Sequence, residues 1–146
     1  MSFPSALEAA DLMRLLPHRH PFLLLDRVYE IEPGTVGIGV KSISIADPVF
    51  AGHFPNEPIY PGVLLIEVAA QLCGIILASG TTEPAFGYLA SIKRFKFSAL
   101  VRPGTQLTVH GRKKIEFESL HEFSVDLKSG AQSVASGTLA IALAKR

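Results

Sequence analysis

The rhythm of apolar and polar positions changes several times along the chain, and each change predicts an element. Ser5 and Glu8 have the S-x-x-E spacing of a capping box, ahead of a short amphipathic helix that ends near Leu16 and is stopped by Pro17. Phe22 to Ile31 reads as a strand. Glu32-Pro33-Gly34-Thr35 puts Pro and Gly at the centre of a type II turn. Val36 to Ile45 returns as a second strand, with Val36, Ile38 and Val40 on one face. Ala46 to Gly62 holds four prolines and two glycines and is expected to be irregular.

Val63 to Ser79 breaks the alternation. It reads VLLIEVAAQLCGIILAS, apolar nearly all round, with Glu67 and Gln71 at its middle. The run is short for a membrane span and carries a charge at mid-depth. A helix apolar on every side is equally what a soluble fold buries whole, and that is the expectation here. Gly80 and Pro84 end it. Alternation then resumes in four strands, Phe86 to Phe97, Gln106 to Phe117, Leu120 to Lys128 and Ser133 to Leu143. Arg102-Pro103-Gly104-Thr105 and Ser129-Gly130 supply turns. Two strands, a long apolar helix and four more strands predict an α+β fold, a mostly antiparallel sheet curved around the helix. The exposed edges of such a sheet favour an oligomer.

Composition narrows the function classes. The 146 residues suit one domain, 1–146, and 48% of them are hydrophobic, which argues against disorder. A net charge of +1 gives no global reason to expect nucleic acid. Cys73 is the lone cysteine, so neither an internal disulfide nor a cysteine-based zinc site is expected. The N-terminal residues lack the pattern of a secretory signal, and the expected location is the cytoplasm. His18 and His20 flank Arg19, but no third metal ligand accompanies them, and a structural role is the better reading. The spacing of Gly34, Gly37 and Gly39 is not that of a phosphate loop.

The chemistry concentrates in Gly52-His53-Phe54-Pro55, Pro61-Gly62, Glu67 and Gln71. An imidazole on a Gly/Pro-rich loop can take or give a proton at physiological pH. A carboxyl in an apolar helix has its charged form disfavoured by desolvation, and a protonated carboxyl is what a general acid must be. Gln71 lies four residues on, on the same helical face, where it can orient the acid. Gly62 opens the helix, where unpaired backbone N–H groups can hold a developing oxyanion. Base, acid and oxyanion site together suit elimination of water across a C2–C3 bond, with no metal or redox cofactor required. The plainer readings are a surface histidine, a satisfied Glu67–Gln71 pair and an ordinary helix start.

Three blocks resemble the 3-hydroxyacyl-[acyl-carrier-protein] dehydratases of the FabZ type, which have the hotdog fold. They are Leu15 to Val28, reading LLPHRHPFLLLDRV; Gly52 to Gln71; and Lys93-Arg94-Phe95-Lys96-Phe97 with Arg102-Pro103-Gly104. The resemblance implies a curved six-stranded sheet around the long helix. It implies that His53 and, fourteen positions later, Glu67 are the catalytic pair. It also implies that the Gly62 amide binds the thioester carbonyl and that Gln71 supports the acid. The implied sites are shared across a homodimer, with trimers of dimers as a further step. The implied substrate is a 3-hydroxyacyl chain on the phosphopantetheine arm of acyl carrier protein, entering an apolar tunnel. No cofactor and no membrane insertion are implied.

Glutamate at position 67, where the FabA type has aspartate, points to dehydration without isomerisation. Departures at Ala46 to Ala51, at Ile92 and in the short Gly80–Ala85 segment leave fatty-acid, polyketide and polyene pathways open. Phe54, Tyr60 and Phe86 are candidates for the tunnel wall, against core packing. Lys93, Arg94, Lys96 and Arg102 are candidates for carrier-protein contact, against a solvated strand face. A hotdog thioesterase using Glu67 to activate water, and a non-catalytic acyl-binding partner subunit, are the competing functions.

Overall fold

The computed structural model describes residues 3–83 and 85–145, without the side chains of Ala85, Phe86 and Lys145. Among the described residues seven strands form one sheet: β1 (Ala6–Leu7), β2 (Arg27–Glu32), β3 (Val36–Ser42), β4 (Ala85–Phe97), β5 (Gln106–Phe117), β6 (Leu120–Ser129) and β7 (Gln132–Lys145). Their order is β1-β2-β3-β5-β6-β7-β4, with every neighbouring pair antiparallel. A short helix α1 (Ala9–Leu15) precedes β2, and the long helix α2 (Gly62–Ser79) lies between β3 and β4. This is the hotdog arrangement, with one strand more than the six expected.

Helix α2 is long and apolar enough to cross a membrane, yet the sheet buries it. Leu72, Ile75 and Ile76 are fully buried, each contributing about 1.5–3 kcal/mol by leaving water. Close approach depends on glycine. Gly37 of β3 pairs with Gly111 of β5, and a Cβ on either would meet the Ile76 side chain at 3.2 or 3.1 Å. Val36, Ile38 and Val40 share a face as expected, but it is the outer one; Gly37, Gly39 and Lys41 are the buried positions of β3.

Two expectations at the N-terminal end are corrected. The capping box is built on Glu8, not Ser5: Glu8 N donates to Asp11 Oδ2 at 2.8 Å, and Ala6 and Leu7 are taken by pairing with Tyr29 and Val28. The strand expected from Phe22 begins at Arg27. Phe22 N turns back to Arg19 O at 2.7 Å, and Leu24 N and Phe22 O bond to the Gln71 side chain. Backbone groups bound to a helix side chain cannot also join a ladder.

Candidate active site

The loop before α2 has little regular structure, yet its polar groups are tied. Asp47 Oδ1 accepts from Val49 N at 3.0 Å and starts a 3-10 turn over Pro48–Ala51. His53 N donates to Val49 O at 3.1 Å, and Ile59 N donates to His53 O at 3.2 Å. The His53 ring has Nδ1 2.8 Å from Ile59 O. A carbonyl only accepts, so Nδ1 is the donor here, and in the neutral ring that leaves the lone pair on Nε2. Phe54 stacks on this ring with centroids 4.0 Å apart.

Glu67 projects from the second turn of α2, half-buried. Its Oε2 receives Gln71 Nε2 at 2.9 Å and lies 3.5 Å from His18 Nε2. Gln71 is 2% exposed. Its amide is fully used, since Oε1 accepts from Leu24 N at 3.0 Å and Nε2 also reaches Phe22 O at 2.8 Å. The glutamine therefore clamps the 22–24 segment to α2 and holds the carboxyl in place. Arg19 fixes the other side of this segment, donating to Met13 O, Leu16 O and His18 O at the end of α1.

A cavity of about 420 Å³ opens from Glu67 and Gln71 and runs between α2, the α1 end and β4; its wall includes His18, Ala78, Tyr88 and Ile141. The sequence alone favours a structural role for His18, and the structure puts it on this wall beside Glu67. The signal that marks it is the His18–Glu67 distance, which no spacing rule supplies. Tyr88 also lines the cavity, and no motif in the sequence marks it.

The other candidates fall in different places. His53 is not among the described residues lining this cavity, so a single chain does not gather the expected pair on one wall. Tyr60 is 2% exposed and packs against Phe50 and under Lys41. Burial, with Asp47 and Asp26 adding to it, pushes its phenol well above the usual range. Core packing, not the tunnel, is where the structure puts it. The Phe86 side chain lies outside the described residues. Gly62 opens α2 beneath Phe97, and a Cβ there would meet that ring at 3.1 Å. Lys93 pairs with Glu122 at 3.3 Å and Arg102 with Glu57 at 2.8 Å, while Arg94 and Lys96 are exposed on β4. Cys73 is buried, and burial raises its thiol pKa far above the ordinary value.

A family model described as a FabA-like domain matches residues 16–137. The 3-hydroxyacyl-[acyl-carrier-protein] dehydratase FabZ of Nitrobacter hamburgensis is 41% identical over 131 residues, which is 88% of this chain and 87% of that protein. The FabZ of Rhizobium johnstonii is 36% identical over 143 residues, covering 97% of this chain and 92% of that protein. Among solved structures, the dehydratase heterocomplex ApeI:P from Xenorhabdus doucetiae superposes with a TM-score of 0.77 at 18% identity, over 92% of this chain and 91% of that one. The fluoroacetyl-CoA thioesterase FlK superposes at 0.65 and 15% identity, over 78% and 88%. At those identities the two structures show a shared fold alone.

Proposed function

This chain belongs to the FabA-like family, and from that membership we propose how it removes water from 3-hydroxyacyl chains carried on acyl carrier protein. It is a hydro-lyase of the FabZ kind. His53 Nε2 takes the C2 proton. The pair of electrons left behind forms the C2–C3 double bond, while backbone N–H at Gly62 faces the thioester oxygen. Glu67, in its acid form, protonates the C3 hydroxyl as the C3–O bond breaks, and water leaves. The proton held by His53 then returns to Glu67, restoring both groups.

One observation carries this reading. A glutamate in the second turn of the most apolar helix is gripped by Gln71 and faced by His18 at the head of a cavity. A solvated or merely structural carboxylate needs no such surroundings.

The base reaches that cavity from a second copy of the chain. Support comes from β4, whose residues pair with β7 on one side, and whose Tyr88, Leu89, Ile92 and Phe97 are exposed apolar residues. Two copies joined along this strand would cover them and bring a partner's loop toward Glu67. Arg94 and Lys96, exposed on the same strand, suit the acidic carrier protein. The reaction asks for no cofactor beyond the carrier's arm, and the reading includes a cytoplasmic location.

The test is purified protein with a carrier-bound 3-hydroxyacyl thioester, followed both by enoyl absorbance and by free thiol. Enoyl formation without thiol release is expected, with His53→Ala and Glu67→Gln each nearly inactive. Full activity in either variant, or thiol release alone, overturns the reading.

A further inference from the structure

A second cavity of about 420 Å³ adjoins the first, and both are lined by Leu77, Thr81, Glu83 and Leu143. The first begins at Glu67, near the start of α2; the second lies past the end of that helix. The two therefore follow α2 in sequence, with shared residues as the passage between them.

The far chamber differs in chemistry. Its wall includes Lys113, Glu116 and His121. His121 is 8% exposed, and its Nδ1 is buried without a hydrogen-bond partner among the described residues, although Glu116 Oε1 stands 3.3 Å away. Burial lowers the His121 pKa, with Glu116 opposing and Lys113 adding to that effect, so the ring is neutral near pH 7. Lys113 Nζ is taken by Glu116 at 2.7 Å. Glu83 and Glu118 also border the chamber.

We infer that the acyl channel has two chambers, and that the second receives the far end of a long acyl chain bearing a hydroxyl group. This deepens the dehydratase reading and rests on it. A plain methyl end would leave the buried Nδ1 of His121 beside hydrocarbon, with only the 3.3 Å approach of Glu116 to serve it, which is costly. A carboxylate end would meet three glutamates and a lysine already paired. A neutral hydroxyl both donates and accepts, and suits a neutral imidazole beside a carboxylate. The length fits a long chain. From Glu67 to Gly80 the helix rises ~20 Å, a distance spanned by roughly sixteen extended chain bonds.

The experiment compares kcat/KM for carrier-bound 3-hydroxyoctanoyl, 3-hydroxyhexadecanoyl and omega-hydroxylated 3-hydroxyhexadecanoyl thioesters. The hydroxylated long chain is expected to exceed the plain one by about tenfold, the size of one net hydrogen bond. His121→Leu should bring that ratio near one and His121→Gln should restore part of it, with octanoyl turnover unchanged in both. Thr81→Trp, in the passage, should depress both long chains more than the octanoyl chain. Equal values for the two long chains in the unaltered enzyme overturn the inference, as does a ratio that survives His121→Leu. Should His121→Leu fail to fold, the unaltered enzyme and Thr81→Trp still decide it. Octanoyl turnover without discrimination sinks this inference alone. No turnover of any chain removes the dehydratase reading, and this inference with it.

Discussion

His18 Nε2 stands 3.5 Å from Glu67 Oε2, the same oxygen that receives Gln71 Nε2 at 2.9 Å. One neighbour comes from α2 itself and the other from the turn after α1, 49 residues earlier in the chain. The carboxyl is thus held by Gln71 and faced by His18 before substrate arrives. His18 is a positioning residue in this arrangement. His18→Ala should lower kcat by ~10–100-fold, the scale of a small misplacement of a reacting group. KM should change little, the pH profile should shift, and His18→Asn should recover part of the rate. A pH profile and kcat identical to the unaltered enzyme would remove His18 from the site.

If each site takes His53 from one subunit and Glu67 from the other, two dead variants should rescue each other. Equal amounts of His53→Ala and Glu67→Gln, unfolded and refolded together, should regain about a quarter of full activity. Half the dimers are then mixed, and each mixed dimer holds one intact site. No recovery, with mixed dimers demonstrated by native mass spectrometry, would place both groups in one subunit.

Gln71 is buried and serves Leu24 N, Phe22 O and Glu67 Oε2 at once. Gln71→Leu keeps the volume but leaves two backbone groups without partners. The expected cost is ~2–6 kcal/mol, at about 1–3 kcal/mol for each of the two stranded groups. Denaturant unfolding would show it as a lower midpoint at constant slope, and activity should fall because Glu67 loses its holder.

The end of α2 touches the β2–β3 turn backbone to backbone. A Cβ on Gly80 would lie 2.7 Å from Gly34 Cα, and Gly34 itself has φ +74. Gly80→Ala should therefore destabilise by ~1–3 kcal/mol. Gly74, inside the same helix, has its nearest neighbour, Leu16 Cδ2, at 3.5 Å. Gly74→Ala should instead stabilise by about 0.5–1 kcal/mol. Thermal melts of the two variants give opposite shifts if the packing is as described.

His121 favours its neutral form in the folded chain, because burial holds its pKa below the ordinary 6.5. Between that value and the lower folded one, the unfolded chain binds more protons. Stability therefore rises with pH through this window and falls on acidification below 6.5. Glu116, held low chiefly by its hydrogen bond to Lys113, loses its contribution further down, below its ordinary 4.5. Melting temperature should drop from pH 7 toward 5.5, and His121→Gln should flatten that slope. An unchanged slope would show that other groups set it.

Much of this protein is legible along the chain. Near-continuous apolarity from Val63 to Ser79 could only end in burial or a membrane, and the alternating segments around it could only become the sheet that buries it. Glu67 and Gln71 announce themselves because a polar pair inside that run is costly unless held. Periodicity marks what repeats locally, and β6 and the first half of β5 repeat faithfully. Tertiary contact decided the rest. Phe22 to Leu25 has the composition of a strand, but its backbone is bonded by Gln71 from 47 and 49 residues away. The outer placement of Val36, Ile38 and Val40 follows from Leu72 and Ile76 needing the glycines opposite. His18 acquires its meaning solely from where Glu67 lies. Such partners are chosen by the folded arrangement, through distances that no local spacing encodes.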